Sequence, residues 1–442
     1  MTAVVDTTPP HPTTIRSTSP GRTSVADRLA AVEVGALADV VGADQTVTVA
    51  DGSEVGYVNL DYAASAPALQ YVADQIADAL GQYASVHRGA GALSQITTAR
   101  YESARETVRA FVRGRADDSV VFTRNTTDAI NLAAHITPGE VVVLDIEHHA
   151  NLVTWCAPRD GVARARVVAA APTFAETFDA LEAELSAAPA ALLAVTAASN
   201  VTGEVLPIGR LASLAHRHGA RILVDGAQLV PHRALSIVGS GVDYLVFSGH
   251  KLYAPFGAGV LVGRSDWLDA ATPYLAGGGA TAAVTLTDDG SSVDWYEGPA
   301  RHEAGSPNVL GVLAIAAACD AIAEFGYEEI GWHEEALRAR LVRGLDGIDG
   351  VRRLDIFGDV RDRVGIVTFV VESCRPRDVA EYLNDQHGIG VRDGKFCAHP
   401  LLTTLGHPEG AVRASFGLGT STADIDRLID ALTGLRTKAG KS

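Results

Sequence analysis

Short apolar runs alternate with helical stretches through the middle of this chain, and this alternation limits the possible fold more than any other feature. The runs are SVVFT, EVVVLD, ALLAVT, RILVDGA, DYLVFSG and GAGVLVG, and helical stretches such as DAINLAAHI and IGRLASLAHRHG lie between several of them. The pattern is typical of α/β proteins, in which helices cover both faces of a mainly parallel sheet. Ligands of open sheets bind at the carboxyl ends of the strands, so the residues that follow each run are the first candidates for function.

The pattern also predicts how the chain is divided. Residues 1–25 are rich in Thr, Ser and Pro, which predicts a disordered leader. The segment VADRLAAVEVGALADVV, from Val25, has helical spacing and is expected to form a helix. We expect residues 26–55 to pack with the smaller domain, and residues 56–309 to form a large domain. After about residue 310, long amphipathic helices precede short strands, so residues 310–442 are predicted to form a smaller α+β domain.

Charge and cysteine content exclude several classes of function. The formal net charge of −17 disfavours nucleic acid and anionic membranes as partners, because both are polyanions. Small molecules or a basic protein surface fit this charge better. The chain has no apolar run of eighteen residues and no apolar segment of signal-peptide length near its start, so we expect a cytoplasmic enzyme. The four cysteines form no CxxC pair, and neither a disulfide framework nor a metal site is predicted.

Ser248-Gly249-His250-Lys251 directly follows one of the apolar runs. A lysine at the end of a buried strand is poorly solvated, which lowers its pKa and suits its amine to Schiff-base formation. An exposed loop lysine is the alternative.

Asp225 is the last residue of the run RILVD, and Gln228 lies three residues later. Pyridoxal phosphate (PLP) needs a carboxylate beside its pyridine nitrogen, which Asp225 could supply, although a strand-terminal Asp is also a common turn or cap residue.

Two further clusters follow strand ends. Thr126 and Thr127 open a predicted helix, whose free N–H groups and hydroxyls could hold a phosphate; a plain helix cap is a compatible interpretation. In Glu147-His148-His149 an imidazole could stack on a pyridine ring. Two adjacent histidines can also bind a metal, but no third ligand lies at helical spacing, which makes metal binding the weaker interpretation.

The last candidates lie in the C-terminal part of the chain. Arg392 and Arg413 both follow short apolar segments, and a bidentate arginine is the usual partner of a substrate carboxylate. A single arginine is more often a surface ion-pair partner, so the assignment of these two depends on the resemblance described below. Cys397 lies in a polar loop with Lys395 and Arg392, which would favour its nucleophilic thiolate form. Cys319, within an apolar helix, is predicted to be a core residue.

Taken together, these segments resemble the cysteine desulfurase and selenocysteine lyase family, especially its group II branch. The likeness runs from about Val58 to Leu432 and is carried by LDYAASAPAL, VHRGAGALSQITTARYESAR, VFTRNTTDAINLAA, EHHANLVTW, SNVTGEVLPI, LVDGAQLVPH, YLVFSGHKLYAPFGAGVL, EAGSPN, VRDGKFCAHPLL and VRASFG. The resemblance implies the fold of class V aminotransferases, or fold-type I PLP enzymes. This fold has a large domain with a mainly parallel seven-stranded sheet and a smaller α+β C-terminal domain.

The resemblance also implies a role for each candidate. Lys251 corresponds to the PLP lysine, Asp225 to the partner of the pyridine nitrogen, Gln228 to the ligand of the ring oxygen, and His148 to a ring-stacking and proton-transferring histidine. Thr126, Thr127, Ser248 and His250 correspond to phosphate ligands, and Ser306 to a residue that the second subunit of a homodimer offers to the phosphate. Asn200, Arg392 and Arg413 correspond to substrate-binding residues, and Cys397 to the cysteine that becomes a persulfide.

The implied reaction converts L-cysteine to L-alanine and passes the sulfur from Cys397 to an acceptor, which could be a protein. Some positions depart from the family pattern. Lys395 and Phe396 replace two histidines before the nucleophile, Gly91 replaces a histidine, and Ala254 and Tyr62 stand in altered motifs. These changes leave open a class V aminotransferase, epimerase or β-lyase that acts on another amino acid. A non-catalytic sulfur-relay scaffold is disfavoured, because a scaffold needs no electron sink.

Overall fold

The computed structural model describes residues 25–87, 89–157, 165–288 and 290–439. The strands are β1 Thr46–Thr48, β2 Glu54–Gly56, β3 Val58–Asn59, β4 Asp118–Thr123, β5 Val141–Leu144, β6 Arg166–Val168, β7 Leu192–Thr196, β8 Arg221–Asp225, β9 Tyr244–Ser248, β10 Gly259–Arg264, β11 Thr281–Thr287, β12 Gly290–Trp295, β13 Val351–Arg353, β14 Ile366–Val371, β15 Ile389–Gly390, β16 Arg392–Gly394 and β17 Ala411–Ser415.

The helices are α1 Val25–Leu29, α2 Gln70–Leu80, α3 Ala92–Phe111, α4 Thr126–Ile136, α5 His149–Cys156, α6 Phe174–Ala187, α7 Ile208–Arg217, α8 Ile237–Ser240, α9 Ser265–Ala270, α10 Val309–Phe325, α11 Tyr327–Asp346, α12 Pro376–His387, α13 His399–Thr404 and α14 Thr422–Ala439. Short 3-10 helices span Gly249–Lys251 and Gly298–Arg301. Residues 1–24 of the predicted leader lie outside the described residues, and the predicted domain boundaries stay predictions.

The large sheet has seven strands in the order β4-β10-β9-β8-β7-β5-β6. Strand β10 runs antiparallel to both of its neighbours, and the remaining pairs are parallel. The central strands β5, β7 and β9 are buried along their whole length, which is why their sequences read as continuous apolar runs. The α/β fold with a mainly parallel seven-stranded sheet, predicted from those runs, is confirmed.

This topology brings the carboxyl ends of β4, β5, β7, β8 and β9 to one edge of the sheet. The antiparallel β10 starts at the same edge, where Gly259 pairs with both Thr123 and Ser248. A Cβ atom at Gly259 would lie 2.5 Å from the carbonyl carbon of Asn125, so only glycine allows the turn between β4 and α4 to lie this close. The polar residues that follow each strand therefore converge.

The C-terminal part has its own four-stranded antiparallel sheet, in the order β13-β14-β17-β16. Its buried face packs with α11, α12 and α14 in a separate apolar core. Helix α10 instead contributes its buried residues to the core of the large sheet and packs against α2 and α3.

The helical spacing that follows Val25 produces only the five-residue helix α1, so the expectation of a longer helix is wrong. The backbone N–H groups of Leu37 and Ala38 instead donate to the carbonyl of Leu418, and the N–H of Val34 donates to the Thr422 hydroxyl. Contacts with the distant C-terminal region replace the hydrogen bonds of a continued helix.

Within the described ranges, no single helix is both long and apolar enough to cross a membrane. Only α10 and α11 taken together satisfy length and composition, and they are bent by 82°. The described residues also contain no group of three or more His, Cys, Asp or Glu side chains placed to hold a metal ion.

Candidate active site

A cavity of about 400 Å³ opens at the edge of the large sheet where the strands end. Its walls come from both parts of the chain. They comprise Ala63, Ala64, Asn125, Thr126, Thr127, His148, Ala150, Thr196, Asn200, Asp225, Ala227, Gln228, His250, Lys251, Arg392, Asp393, Phe396, Cys397 and Arg413. All the predicted site residues except Ser248 and Ser306 are among them.

The floor of the cavity holds the predicted lysine and carboxylate. Burial lowers the pKa of Lys251 to about 8, although the nearby Asp225 carboxylate partly offsets this shift. Burial also raises the pKa of Asp225, against the hydrogen bond from the Ala227 N–H (3.0 Å) and the charge of Lys251. Gln228 donates from Nε2 to the carbonyl of Ala63 at 2.8 Å, which fixes its side chain. A partly neutral amine and a fixed carboxylate therefore share one apolar floor.

His148 caps the start of α5 and lines the cavity above this floor. Its Nδ1 accepts from the Ala150 N–H at 3.1 Å, so the ring is held in one orientation with Nδ1 unprotonated. Burial, followed by the charge of Lys251, lowers the pKa of His148 to about 4. At neutral pH the ring is therefore an uncharged imidazole, suited to stacking on a heteroaromatic ring.

The start of α4 carries an unsatisfied polar site. Asn125 is the helix cap and accepts from the Asp128 N–H at 3.0 Å, which leaves the Thr126 hydroxyl free of the capping role. Among the described residues, the buried hydroxyls of Thr126 and Ser248 have no hydrogen-bond partner. Buried polar groups are nearly always paired, so two such hydroxyls beside a helix N-terminus point to an anionic ligand.

The other two predicted phosphate ligands also line the cavity. Thr127 follows in the first turn of α4 and is exposed, whereas His250 is half-buried. The carbonyl of His250 accepts from the Ala66 N–H at 2.9 Å. Burial, followed by the charge of Lys251, lowers the pKa of the His250 ring to about 4. A neutral ring can donate one hydrogen bond to a phosphate oxygen.

The two predicted arginines lie opposite each other on paired strands, because Arg392 of β16 faces Arg413 of β17 in the register. Arg413 is buried and donates to the carbonyl of Asn200 at 2.8 Å and to the Asp61 carboxylate at 3.0 Å. Its Nε has no partner among the described residues. Arg392 is exposed, and its guanidinium lies 3.7 Å from Asp61. Arg413 is therefore the more rigid anchor for a carboxylate.

Cys397 is exposed at the mouth of the cavity, between β16 and α13. Phe396 and Cys397 have consecutive positive φ angles of 51° and 53°, a backbone conformation that is unfavourable for residues with a Cβ. The surrounding structure holds this turn, because the His149 N–H donates to the Cys397 carbonyl at 2.8 Å and the Ala398 N–H donates to the Lys395 carbonyl at 2.8 Å.

Ser306 lies apart from the residues of this cavity. It is exposed and lines a second cavity of about 160 Å³, together with Thr123 and Arg124, which directly precede the start of α4. Within one chain Ser306 is therefore not brought to the predicted phosphate ligands. Its expected role across a homodimer stays a prediction.

The sequence interpretation missed two acidic side chains at the site. Asp61 holds both arginines, and it lies two residues after the end of the short strand β3, close to the kind of position that drew attention to the other candidates. Glu147 is fully buried and accepts from the Thr196 N–H at 2.9 Å and from Asn151 Nδ2 at 2.7 Å. Burial raises the pKa of Glu147 to about 8. Its place directly before His148 was the available signal.

The positions that depart from the family pattern separate clearly in the structure. Tyr62 packs edge-to-face on Tyr253 in the core. Ala254 is buried, and its φ is not positive, so its backbone conformation does not require glycine. Gly91 precedes the first residue of α3. Of the departing positions in the described ranges, Phe396 is the one that lines the cavity.

Comparison with known proteins agrees with this geometry. The family model described as "Aminotransferase class-V" matches residues 58–428. The chain belongs to the class V aminotransferase family. A cysteine desulfurase of Klebsiella pneumoniae (strain 342) is 38% identical over 360 residues, which cover 79% of this chain and 86% of that protein. The resemblance to cysteine desulfurases predicted from the sequence is confirmed.

Solved structures give the same result. An apo cysteine desulfurase from Thermococcus onnurineus NA1 superposes with a TM-score of 0.79 at 31% identity, over 86% of this chain and 95% of that one. A cysteine desulfurase of Escherichia coli superposes with a TM-score of 0.76 at 32% identity, over 87% and 95% of the two chains. The likeness therefore extends over most of the length of both structures.

Class V aminotransferases and cysteine desulfurases use PLP, and the residues of this cavity fit the cofactor. The unpaired hydroxyls of Thr126 and Ser248 suit its phosphate, and Asp225 suits its pyridine nitrogen. His148 suits the face of the ring, and Lys251 is the amine that suits its aldehyde. The cofactor predicted from the sequence is confirmed as that of the family.

Proposed function

We propose that this protein is a PLP-dependent cysteine desulfurase that converts L-cysteine to L-alanine and takes up the sulfur as a persulfide on Cys397. The observation that carries the proposal is that Cys397, Lys251, Asp225 and Arg413 line one cavity. A thiol, a base, a partner for the cofactor ring and a carboxylate anchor are the groups that this reaction needs. The identity to cysteine desulfurases over most of the chain supports the same assignment.

Each residue has a proposed part in the reaction. The guanidinium of Arg413, with Asn200 beside it, binds the substrate α-carboxylate. PLP, when bound, supplies the electron sink that allows the substrate Cα–H bond to break. The neutral amine of Lys251 then takes up the Cα proton, because burial keeps its pKa near 8. His148 stays uncharged and covers the face of the ring.

The sulfur step balances without an external oxidant. The Cys397 thiolate attacks the substrate sulfur, and the substrate Cβ–S bond breaks as the new S–S bond forms. The electron pair of the broken bond stays on the substrate Cβ, which gains a proton and becomes the methyl group of alanine, and the proton held by Lys251 returns to Cα. The products are alanine and a persulfide on Cys397, and an acceptor, which could be a protein, then removes the sulfur.

The test is to incubate the PLP-loaded protein with L-cysteine and to measure alanine and sulfide, with and without a thiol reductant. Cys397→Ala is expected to lower alanine formation at least about 100-fold while the cofactor absorbance stays unchanged, because only the nucleophile is removed. Cys156→Ala, at a half-buried cysteine outside the cavity, is the matched control and should keep full activity. Alanine formation that survives in Cys397→Ala would refute the nucleophile role.

A second candidate is a class V enzyme that acts on another amino acid, such as an aminotransferase, epimerase or β-lyase. It is favoured by Phe396, which places an apolar ring in the cavity wall where related proteins are expected to have histidine. This candidate predicts turnover of an amino acid other than cysteine, with little effect of Cys397→Ala. A stable change in cofactor absorbance with L-cysteine, but no alanine, would favour it.

We also propose a homodimer in which Ser306 reaches the phosphate site of the partner subunit. Two observations support this arrangement: Ser306 is exposed, and its cavity adjoins the turn that carries Thr126. The cytoplasmic location predicted from the sequence is a separate part of our proposal.

A further inference from the structure

Phe396 differs from its neighbours in the Cys397 loop. Lys395 and Cys397 on either side are exposed, whereas Phe396 is only 8% exposed. Its φ of 51° is unfavourable for an aromatic residue. A strained backbone persists only when the surrounding contacts fix it, so the contacts of Phe396 indicate what the strain maintains.

Phe396 belongs to the large apolar core, and two of its contacts lead to the substrate side of the cavity. The Phe396 ring centroid lies 5.1 Å from the Cζ atom of the Arg413 guanidinium, which is within the range of a cation–π interaction. Its carbonyl accepts a 2.7 Å hydrogen bond from Asn200 Nδ2. Arg413 in turn donates to the carbonyl of Asn200 at 2.8 Å. Phe396, Asn200 and Arg413 therefore form a closed triangle of contacts.

We infer that Phe396 is a positioning residue that links the nucleophile to the carboxylate anchor. One peptide bond joins it to Cys397, while its ring packs on Arg413 and its carbonyl is held by Asn200. Movement of the Cys397 turn relative to the guanidinium is thus restrained, and this restraint sets how the thiol meets a substrate whose carboxylate is bound by Arg413. This inference deepens the proposed function and rests on it for its kinetic part.

The positioning role has a test that does not depend on activity. Trypsin cleaves after Lys395 only when the loop opens, because Phe396 is buried on the far side of that bond. Phe396→Leu removes the aromatic face and should increase the rate of this cleavage about tenfold, the size expected for a lost cation–π contact of a partly desolvated arginine. Phe396→Tyr retains the face and should match the parent protein within about twofold.

The kinetic arm uses L-cysteine with the PLP-loaded variants. Phe396→Leu should lower kcat about tenfold, because the sulfur is no longer held, and should raise KM about threefold, because Arg413 loses its packing partner. Phe396→Tyr should restore both values. Where Phe396→Leu does not fold, Phe396→Met serves as a similar apolar replacement without the ring.

Phe178→Leu is the matched control, because the Arg210 guanidinium lies 4.7 Å from the Phe178 ring, remote from the cavity residues. It makes the same chemical change and should leave cleavage after Lys395, kcat and KM unchanged. The inference is supported when Phe396→Leu changes both cleavage and kinetics and Phe178→Leu changes neither; any other combination overturns it. If the parent protein forms no alanine, the proposed function fails, and the cleavage arm alone decides whether Phe396 holds the loop.

Discussion

The floor and the mouth of the active-site cavity are built in different ways. Asp225 is the last residue of the buried strand β8, and Lys251 is the last residue of the 3-10 helix that follows β9. The sheet itself therefore fixes the positions of these two floor residues. The mouth is a loop between β16 and α13, in which Phe396 and Cys397 have left-handed backbone angles and side-chain contacts fix the conformation. The chemistry of the cofactor thus depends on the fold, whereas the choice of substrate depends on a few local contacts.

This difference has a physical basis. Strand ends are set by hydrogen bonds to neighbouring strands along their full length, so a single substitution cannot shift them far. A loop conformation held by one ring and two or three hydrogen bonds can be altered by one substitution that removes a few kcal/mol of stabilisation. We therefore expect floor substitutions to change the chemical step, and mouth substitutions to change substrate binding and sulfur transfer.

The largest effect is expected from Asp225→Asn on the floor. The amide keeps the shape of the carboxylate and its acceptor for the Ala227 N–H. It loses the negative charge that would stabilise a protonated cofactor nitrogen under the proposed function. We expect kcat to fall at least about 100-fold while the cofactor remains bound, because the electron sink is weakened. Alanine formation and the cofactor absorbance measure the two effects separately.

Asp145→Asn is the matched control for this prediction. Asp145 follows β5, which lies two strands from β8 in the same sheet, and also accepts from a backbone N–H, that of Ala170 at 2.9 Å, but it does not line the cavity. Its kcat should stay close to that of the parent protein. A kcat for Asp225→Asn within tenfold of the parent value would contradict the role of its charge.

A smaller effect is expected from Arg413→Lys, on the buried strand β17 against which the mouth loop packs. Arg413 holds Asn200 and Asp61 through a planar guanidinium fork, which can also donate two parallel hydrogen bonds to a carboxylate. Lysine keeps the positive charge but lacks this fork. We expect KM for L-cysteine to rise about 30-fold with a smaller change in kcat, since the loss of a bidentate charged hydrogen bond costs about 2 kcal/mol. Steady-state kinetics on the PLP-loaded variant provide the measurement.

Arg363→Lys is the comparable change away from the cavity, at an arginine paired with the buried Glu204 at 3.2 Å. It should lower the melting temperature but leave KM unaltered. An equal rise of KM in both variants would show that Arg413 acts on stability and not on the substrate.

The smallest effect concerns pH and the floor lysine. With a pKa near 8, the neutral fraction of the Lys251 amine rises from roughly one-tenth at pH 7 to roughly nine-tenths at pH 9. The rate of covalent capture of PLP by the apoprotein should therefore rise about tenfold between these pH values and then level off. Stopped-flow absorbance follows this rate.

Nα-acetyl-lysine, which keeps a free ε-amine, is the reference for this measurement. The ordinary pKa of that amine, about 10.4, predicts a capture rate that keeps rising to pH 10. His148 should add no inflection above pH 5, since its pKa lies near 4 and the ring stays neutral throughout. A capture rate that rises tenfold per pH unit between pH 8 and pH 10 would show that burial does not activate Lys251.

The sequence predicted the floor better than the mouth, for the reason that separates the two regions. Asp225, Gln228 and Lys251 could be placed from their positions after apolar runs, because a parallel sheet aligns its strand ends. The contacts of Phe396 with Arg413 and Asn200 join residues up to 196 positions apart, and no local pattern encodes them. The strand β6 was also missed, because it is three residues long and only partly buried.

Composition and periodicity also fail where tertiary contacts override them. The segment after Val25 has helical spacing, but its backbone groups pair with Leu418 and Thr422, nearly four hundred residues away. Likewise, the sequence does not show which of the two residues Asn125 and Thr126 caps α4. In the structure Asn125 is the cap and the Thr126 hydroxyl stays unpaired, because of how the two side chains are oriented.

The two left-handed residues at the mouth have a consequence for transplanting this site. A peptide with the sequence of the Cys397 loop would relax to ordinary backbone angles, because nothing in its own residues compensates the strain. Grafting the loop onto another scaffold would therefore transfer the thiol but not its orientation. To transfer the geometry, a designer would also have to move the arginine and the asparagine that clamp the loop from two other parts of the chain.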